Sequence, residues 1–482
     1  MPLSGRRMIE FQLQIAAILI LLLILVGVSS ISLKDYQSAV MMPGLVICFA
    51  YLLFSVLLGS RVKTGIFGEV GFIFLGFTVA YSVMPAMNFL ILDFEFPPNF
   101  DGLNFSVLNP SPPDIADHLW RHCLFVVTVM AGYLAGRGCD RKSLVSRALP
   151  AAELWVVTTV LALILGCVMT ISMLSAPVED YWSHYTRFDS LSWGARRLVY
   201  ACLILKAGGY YVALVLMFSD YQRFKYAILV FVLSISAYEM AYSFGARIEA
   251  LSILLAALCL YHFNVRSIRL KDGVIYFGGL LVLFTIVEFY RGANFDIDYA
   301  LQDFSEKGLK VASEFGAVYY TSFHLYFERL HGTMPLADWR MLINDFFTIV
   351  PFYEHTEFNS QYWYAGIFFP DAVVPPQTMG PIADSAIWGG EIDLALRGLF
   401  TGLGYGWLAR WALRSRDRLF ANVAYAFLFA TSVMALKYSL VYQVSQMLRT
   451  LIPAVLLVIL FVNVRVGFRR GKLGESAMKS WM

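Results

Sequence analysis

Charge is what this chain has least of. Only 15% of its 482 residues are Asp, Glu, Lys or Arg, and the net charge is +3. A nucleic-acid partner needs a concentrated basic face, which so small a balance does not supply. Six cysteines (Cys48, Cys123, Cys139, Cys167, Cys202, Cys259) lie in or beside apolar runs without metal-ligand spacing. That pattern argues against a disulfide framework or a zinc site. There is no P-loop, no Gly-rich dinucleotide fingerprint, no internal repeat and no low-complexity tract. The basic connections between apolar runs are too short to build a nucleotide-sugar site, so neither cofactor nor metal is expected.

Apolar residues fill the space that charge leaves. Hydrophobic residues make up 59% of the chain and aromatics 16%, with a mean hydropathy of +0.65. Apolar runs of about 20 residues recur throughout, the length that crosses a bilayer as a helix. They fall near 11–30, 39–59, 67–92, 117–136, 152–175, 198–218, 226–242, 247–263, 273–290, 394–413, 419–437 and 447–465. The expected fold is therefore an all-α polytopic membrane protein with about twelve transmembrane helices. The first run is read as a retained helix, because it is long for a signal peptide and has no small-x-small cleavage site.

Loop charges orient the spans. Arg6 and Arg7, Arg61 and Lys63, and Arg137, Arg141, Lys142 and Arg147 lie in alternate loops. So do Arg223 and Lys225, Arg266, Arg269 and Lys271, Arg414, Arg416 and Arg418, and Arg465, Arg469, Arg470 and Lys472. The positive-inside rule puts these loops and both termini in the cytoplasm. The intervening loop 93–116 carries four acids and no Lys or Arg.

Three regions follow: spans one to nine over 1–290, a large outer loop over 291–393, and spans ten to twelve with a cytoplasmic tail over 394–482. A loop of about 100 residues is functional or separately folded. Within it, "LQDFSEKGLKVASEFGAVYYTSFHLYFERL" and "LADWRMLINDFFTIV" have the pattern of amphipathic helices lying on the membrane face. Trp339, Tyr353, Tyr362, Trp363, Tyr364 and Trp388 serve either to stack on sugar rings or to anchor the loop at the interface.

The unexpected charges gather at the outer ends. "YEMAYSFGARIEALSILL" sets Glu239, Arg247 and Glu249 around a tight outer turn. "VEFYRGANFD" adds Glu288 and Arg291, "WGGEIDLALRGLF" adds Glu391, Asp393 and Arg397, and "VYQVSQMLRTLIPA" adds Arg449. Each charge could snorkel or pair with a neighbour. Four arginines from four helices on the side that positive-inside logic disfavours point instead to an anion site. A planar guanidinium pairs bidentately with phosphate and stays ionised, which suits a membrane-embedded diphosphate. Arg247, Arg291, Arg397 and Arg449 are the candidate diphosphate ligands. Glu249, Glu314, Asp384, Glu391 and His355, with His324 and His331 nearby in sequence, are candidates for a general base acting on a sugar hydroxyl. Each acid is equally a salt-bridge partner for an arginine.

"GARIEALSILL", "RGA" and "PPQTMGPIADSAIWGGEIDLALRGLFTGLGYGWLARW" resemble the bacterial O-antigen polymerase (Wzy-type) and oligosaccharide repeat-unit polymerase families. The resemblance implies a GT-C-like architecture and an inverting glycosyltransferase of the bacterial inner membrane. Its donor and acceptor would be polyprenyl-diphosphate-linked oligosaccharides, joined at the periplasmic face for O-antigen, capsule or exopolysaccharide. Membrane lipids are expected partners, and a separate chain-length regulator stays an open one. On this resemblance Arg247 matches the small-residue–Arg motif and Arg291 the arginine that opens the loop. Gly389, Gly390 and Glu391 match only in part, since "WGGE" adds an acid that many members lack. An O-antigen ligase, or a transporter of lipid-linked oligosaccharide, is the alternative.

Overall fold

In a computed structural model the described residues are 36–59, 66–91, 111–138, 153–175, 190–242, 248–268, 313–335, 337–350, 359–368, 379–415 and 418–479, with isolated positions between them. All regular structure among them is helical. The helices are α1 (Tyr36–Gly59), α2 (Val70–Ile91), α3 (Pro112–Arg137), α4 (Leu154–Leu174), α5 (Trp193–Phe218), α6 (Tyr221–Tyr242) and α7 (Ile248–Asn264). After these come α8 (Ser313–His331), α9 (Trp339–Phe347), α10 (Ser360–Phe368) and α11 (Pro381–Ile387). The last three are α12 (Gly390–Arg414), α13 (Arg418–Thr431) and α14 (Leu440–Lys479). The expected spans at 11–30 and, almost entirely, 273–290 lie outside the described residues.

Six of these helices are long and apolar enough to cross a membrane: Met41–Gly59, Pro113–Arg137, Leu154–Leu174, Trp193–Phe218, Tyr221–Ala241 and Leu440–Leu460. The protein is thus a multi-pass helical membrane protein. Shorter apolar helices run over Val70–Ala86, Glu249–Asn264 and Leu419–Met434. α12 has the length but not the hydropathy, because glycines and arginines interrupt its leucines. Local signals set the helix starts. Pro112 and Pro113 open α3, where Asp114 accepts from the backbone N–H of Ser111 at 2.8 Å. Asp338 caps α9 by accepting from Arg340 N–H at 2.9 Å.

Contact registers give the relative directions of the helices. α3 and α12 run parallel, with Arg121 beside Glu391 at one end and Gly138 beside Arg410 at the other. α2 runs against α3, pairing Ser82 with His122 and Glu69 with Arg137. α7 runs against α13, through Ser252–Ala430 and Asn264–Asn422. α5 runs against α6 and alongside α14, with Lys206 on Glu239 and Gly208 against Ala454.

The α3–α12 contact is a close backbone-to-backbone packing. Gly398, Gly402 and Gly406 on α12 meet Thr128, Gly132 and Gly136 on α3, so close that a β-carbon on any of these glycines would collide with the facing helix. A β-carbon on Gly406, for example, would lie 2.5 Å from the Tyr133 carbonyl oxygen. Lipid supplies no hydrophobic drive between spans, so close backbone approach at small residues provides the packing energy.

The outer-loop helices fold onto the bundle. α8 does not lie on a membrane face as expected: Tyr319, Phe323 and Tyr326 are almost fully buried, and Ser322 reaches His118 of α3 at 3.1 Å. Its aromatic ridge fills the space between α2, α3 and α11, which outweighs its amphipathic pattern.

Candidate functional site

Two polar clusters occupy the end of the bundle from which α3, α5, α7, α12 and α14 all start. The first joins α3, α8, α11 and the first turns of α12. Arg121 donates from Nε to Glu391 Oε1 at 2.9 Å, and its guanidinium lies 4.5 Å from the centre of the Tyr326 ring. Arg397 is held between two acids, donating from Nε to Asp393 at 2.6 Å and from Nη1 to Asp384. Trp388 Nε1 donates to the other Asp384 oxygen at 3.1 Å. Arg329 Nη1 donates to the Ala386 carbonyl at 2.6 Å, and Tyr326 Oη meets Ser385 Oγ at 2.9 Å. At the α11–α12 junction Gly390 has φ of +63° with Arg329 packed against it, a backbone and a space that suit glycine alone. Burial pushes the Asp384 carboxyl up to about 6, against the pull of Arg397. This cluster is a neutralised ion-pair network. Asp384 and Asp393 are here the salt-bridge partners of Arg397, the alternative role that the sequence left open for each acid.

The second cluster lies around α5. Lys206 Nζ is 2.7 Å from Glu239 Oε1, and Tyr210 Oη donates to that oxygen at 2.7 Å. Lys206 Nζ also sits 4.9 Å from the centre of the Tyr238 ring. Glu249, in the first turn of α7, interacts electrostatically with Glu239, Lys437 and Lys206, but its buried Oε2 has no hydrogen-bond partner among the described residues. Arg449 projects from α14 toward Tyr200 of α5, its guanidinium 5.8 Å from the ring centre. Among the described residues its buried Nε has no hydrogen-bond partner and no carboxylate pairs with it. α14 starts at Leu440 rather than near 447, so Arg449 sits about two and a half turns inside the helix. That is deeper than the helix mouth where the sequence reading placed it.

Asp345 of α9 stands between the clusters. It accepts from Ser439 Oγ at the start of α14 and from Ser360 N–H at 3.0 Å, and both Asp384 and Tyr442 sense its charge. Burial pushes its carboxyl up, while the Ser439 and Ser360 hydrogen bonds pull it down.

The structure thus sets Glu249 beside Lys206 and Glu239, sets Arg449 farther along α5 beside Tyr200, and brings Asp384, Glu391 and Arg397 together in the first cluster. Arg247, Arg291 and His355 lie outside the described residues, as does the side chain of Glu314. His324 is held by Tyr364 Oη at 2.7 Å and Glu328 at 3.5 Å, and His331 Nδ1 lies 2.8 Å from the Phe327 carbonyl. Sequence reasoning assigned no role to Arg121, Lys206 or Asp345, and none to Glu239, which it quoted. The available signal was an ionisable residue inside an apolar run: "HLWRHCLF" for Arg121 and "LILKAGGYYVALVL" for Lys206. It also passed over His118 and His122, four residues apart on α3. Their Nε2 atoms lie 3.1 Å apart, between Ser82 and Ser322. Among the described residues no group of three His, Cys, Asp or Glu is placed to hold a metal ion. Comparison with protein-family models, with curated proteins and with solved structures finds no match to this chain.

Proposed function

We propose that this chain is a glycosyltransferase of the bacterial inner membrane that polymerises polyprenyl-diphosphate-linked oligosaccharide repeat units at the periplasmic face. One observation carries the reading. Arg449 lies well inside a membrane helix, with no carboxylate partner among the described residues, beside an α5 surface that also borders the unsatisfied carboxylate of Glu249. A cation at such a place is costly unless an anion meets it. A guanidinium answers a diphosphate with two parallel hydrogen bonds.

Arg449, joined by Arg247 and Arg291, holds the donor diphosphate and stabilises the charge that grows on it as it leaves. Glu249 is the best-supported base. As the acceptor hydroxyl oxygen bonds to the anomeric carbon with inversion, the diphosphate departs with the electron pair of the broken C–O bond. The hydroxyl proton passes to the Glu249 carboxylate. The Lys206–Glu239–Tyr210 group fixes the polar wall around that acid. The Arg121–Glu391 and Arg397–Asp384 pairs hold α3, α11 and α12 together.

The test is a transfer assay. Purified protein in vesicles receives a panel of polyprenyl-diphosphate-linked oligosaccharides, and products are resolved on a gel. A ladder from wild type that is lost in a folded Arg449→Ala protein supports the polymerase. A single transfer to a lipid A core acceptor identifies a ligase instead. Movement of the lipid between leaflets without any transfer identifies a transporter.

A further inference from the structure

α9 turns much of its apolar surface away from the protein. Met341, Asn344 and Asp345 are buried against the bundle, while Trp339, Ile343, Phe346 and Phe347 are 65%, 42%, 49% and 44% exposed. Val350, just beyond the helix, is 41% exposed. A surface helix in water shows the reverse pattern, apolar stripe inward and polar face outward.

The inward polar face is fastened, so the outward face is not a matter of chance rotation. Ser439 Oγ and Ser360 N–H donate to Asp345. Thr348 Oγ1 meets Ser445 Oγ at 2.7 Å, and Ser445 Oγ donates to the Phe346 carbonyl at 3.1 Å. Ser439 and Ser445 belong to the start of α14, where Ser439 Oγ also accepts from Tyr442 N–H at 3.2 Å. α9 is therefore pinned across the mouth of a membrane-spanning helix.

The exposed apolar face of α9 continues onto α14. Val444 is 44% exposed, followed along the span by Ile452 at 46% and Leu456 at 60%. On a helix that crosses a bilayer, lipid covers that stripe. Asp338 and Arg340 pair at 2.5 Å at the α9 N-terminus, giving the face a charged rim next to an exposed tryptophan. Aromatic residues beside charge are the composition of the headgroup level.

We propose that α9 is an interfacial anchor: Trp339, Ile343, Phe346, Phe347 and Val350 lie embedded in the outer leaflet where headgroups meet acyl chains. The occupant of the face is the bilayer itself. Through the Asp345–Ser439 hydrogen bond the anchor fixes the depth of the α14 start, whatever reaction the bundle carries out.

Nitroxide labels on Ile343→Cys, Phe346→Cys and His331→Cys, in a folded chain with its native cysteines replaced by serine, test this in vesicles. Embedded side chains give an oxygen-to-nickel accessibility ratio several-fold higher at 343 and 346 than at exposed position 331. Nickel access equal to that at 331 places the face in water and overturns the proposal. Low access to both probes means that protein covers it, and also overturns it. A photo-crosslinking residue at Phe346 in the otherwise unaltered chain gives a second readout: lipid adducts are expected, and their absence overturns the anchor.

Discussion

Gly402 of α12 and Val129 of α3 stand backbone to backbone, so that a β-carbon on Gly402 would fall well inside van der Waals contact distance of the Val129 carbonyl oxygen. Gly404, two residues along the same helix, has no atom within 4 Å of where its β-carbon would sit. The two positions separate packing from helix propensity. Gly402→Ala is expected to destabilise by about 1–3 kcal/mol, since the facing element is rigid backbone. Gly404→Ala is expected to be neutral or stabilising by less than about 1 kcal/mol. Unfolding midpoints of both variants in one detergent check the pair; equal effects would remove the close contact as the cause.

At the end of α3, Arg137 donates to Glu69, which immediately precedes α2, from Nε at 3.1 Å and from Nη2 at 2.9 Å, and Tyr133 Oη adds a third hydrogen bond to that carboxylate at 3.0 Å. Both side chains are buried, so losing one strands the other. Arg137→Met is expected to cost about 3–5 kcal/mol. The double variant with Glu69→Met removes the stranded charge and is expected to recover much of that loss. Reversible denaturant unfolding of the two singles and the double reads the coupling directly.

Asp384 makes the network around Arg397 sensitive to acid. Its carboxyl titrates near 6, above the ordinary 3.8, so the folded state binds its proton more tightly than the unfolded state does. The contribution of this group to stability is fully present below about 4 and is lost as pH rises through about 6, staying constant above that. Asp384→Asn is expected to flatten the melting-temperature profile between about pH 4 and 6 while leaving the profile above about 7 parallel to wild type. An unchanged slope in that window would assign the titration to another group.

Arg449→Ala is expected to lower transfer by about 10²–10³-fold, the loss typical of one preorganised donor to a developing anion. Arg449→Lys keeps the charge but not the planar fork, and is expected to recover only a small part of the activity. Binding of inorganic pyrophosphate to both variants, measured by calorimetry in micelles, separates lost affinity from lost chemistry.

Much of the bundle was legible in the residues. α4 is rich in Leu, Val, Ile, Thr and Met and has no charge, and a helix is the way such a run satisfies its backbone in lipid. The Gly398-x3-Gly402-x3-Gly406 spacing stood in plain view within "RGLFTGLGYGWLAR", yet the sequence alone does not name the helix that meets it. α8 misled for a physical reason. Its aromatic stripe fits a membrane surface and a protein crevice equally, and only the gap between α2 and α3 chooses.

Composition and spacing by themselves determined that this chain is a bundle of apolar helices and that ionisable residues sit where they are costly. Tertiary structure alone decided what those residues meet. Arg397 and Arg449 look alike in sequence, each an arginine a few residues into an apolar run. Folding sets Asp384 and Asp393 against the first, whereas among the described residues the second meets the rings of Tyr200 and Tyr442 and no carboxylate. The distinction depends on distances between side chains far apart in the chain, because electrostatic energy in a low-dielectric interior is set by the partner a few ångströms away.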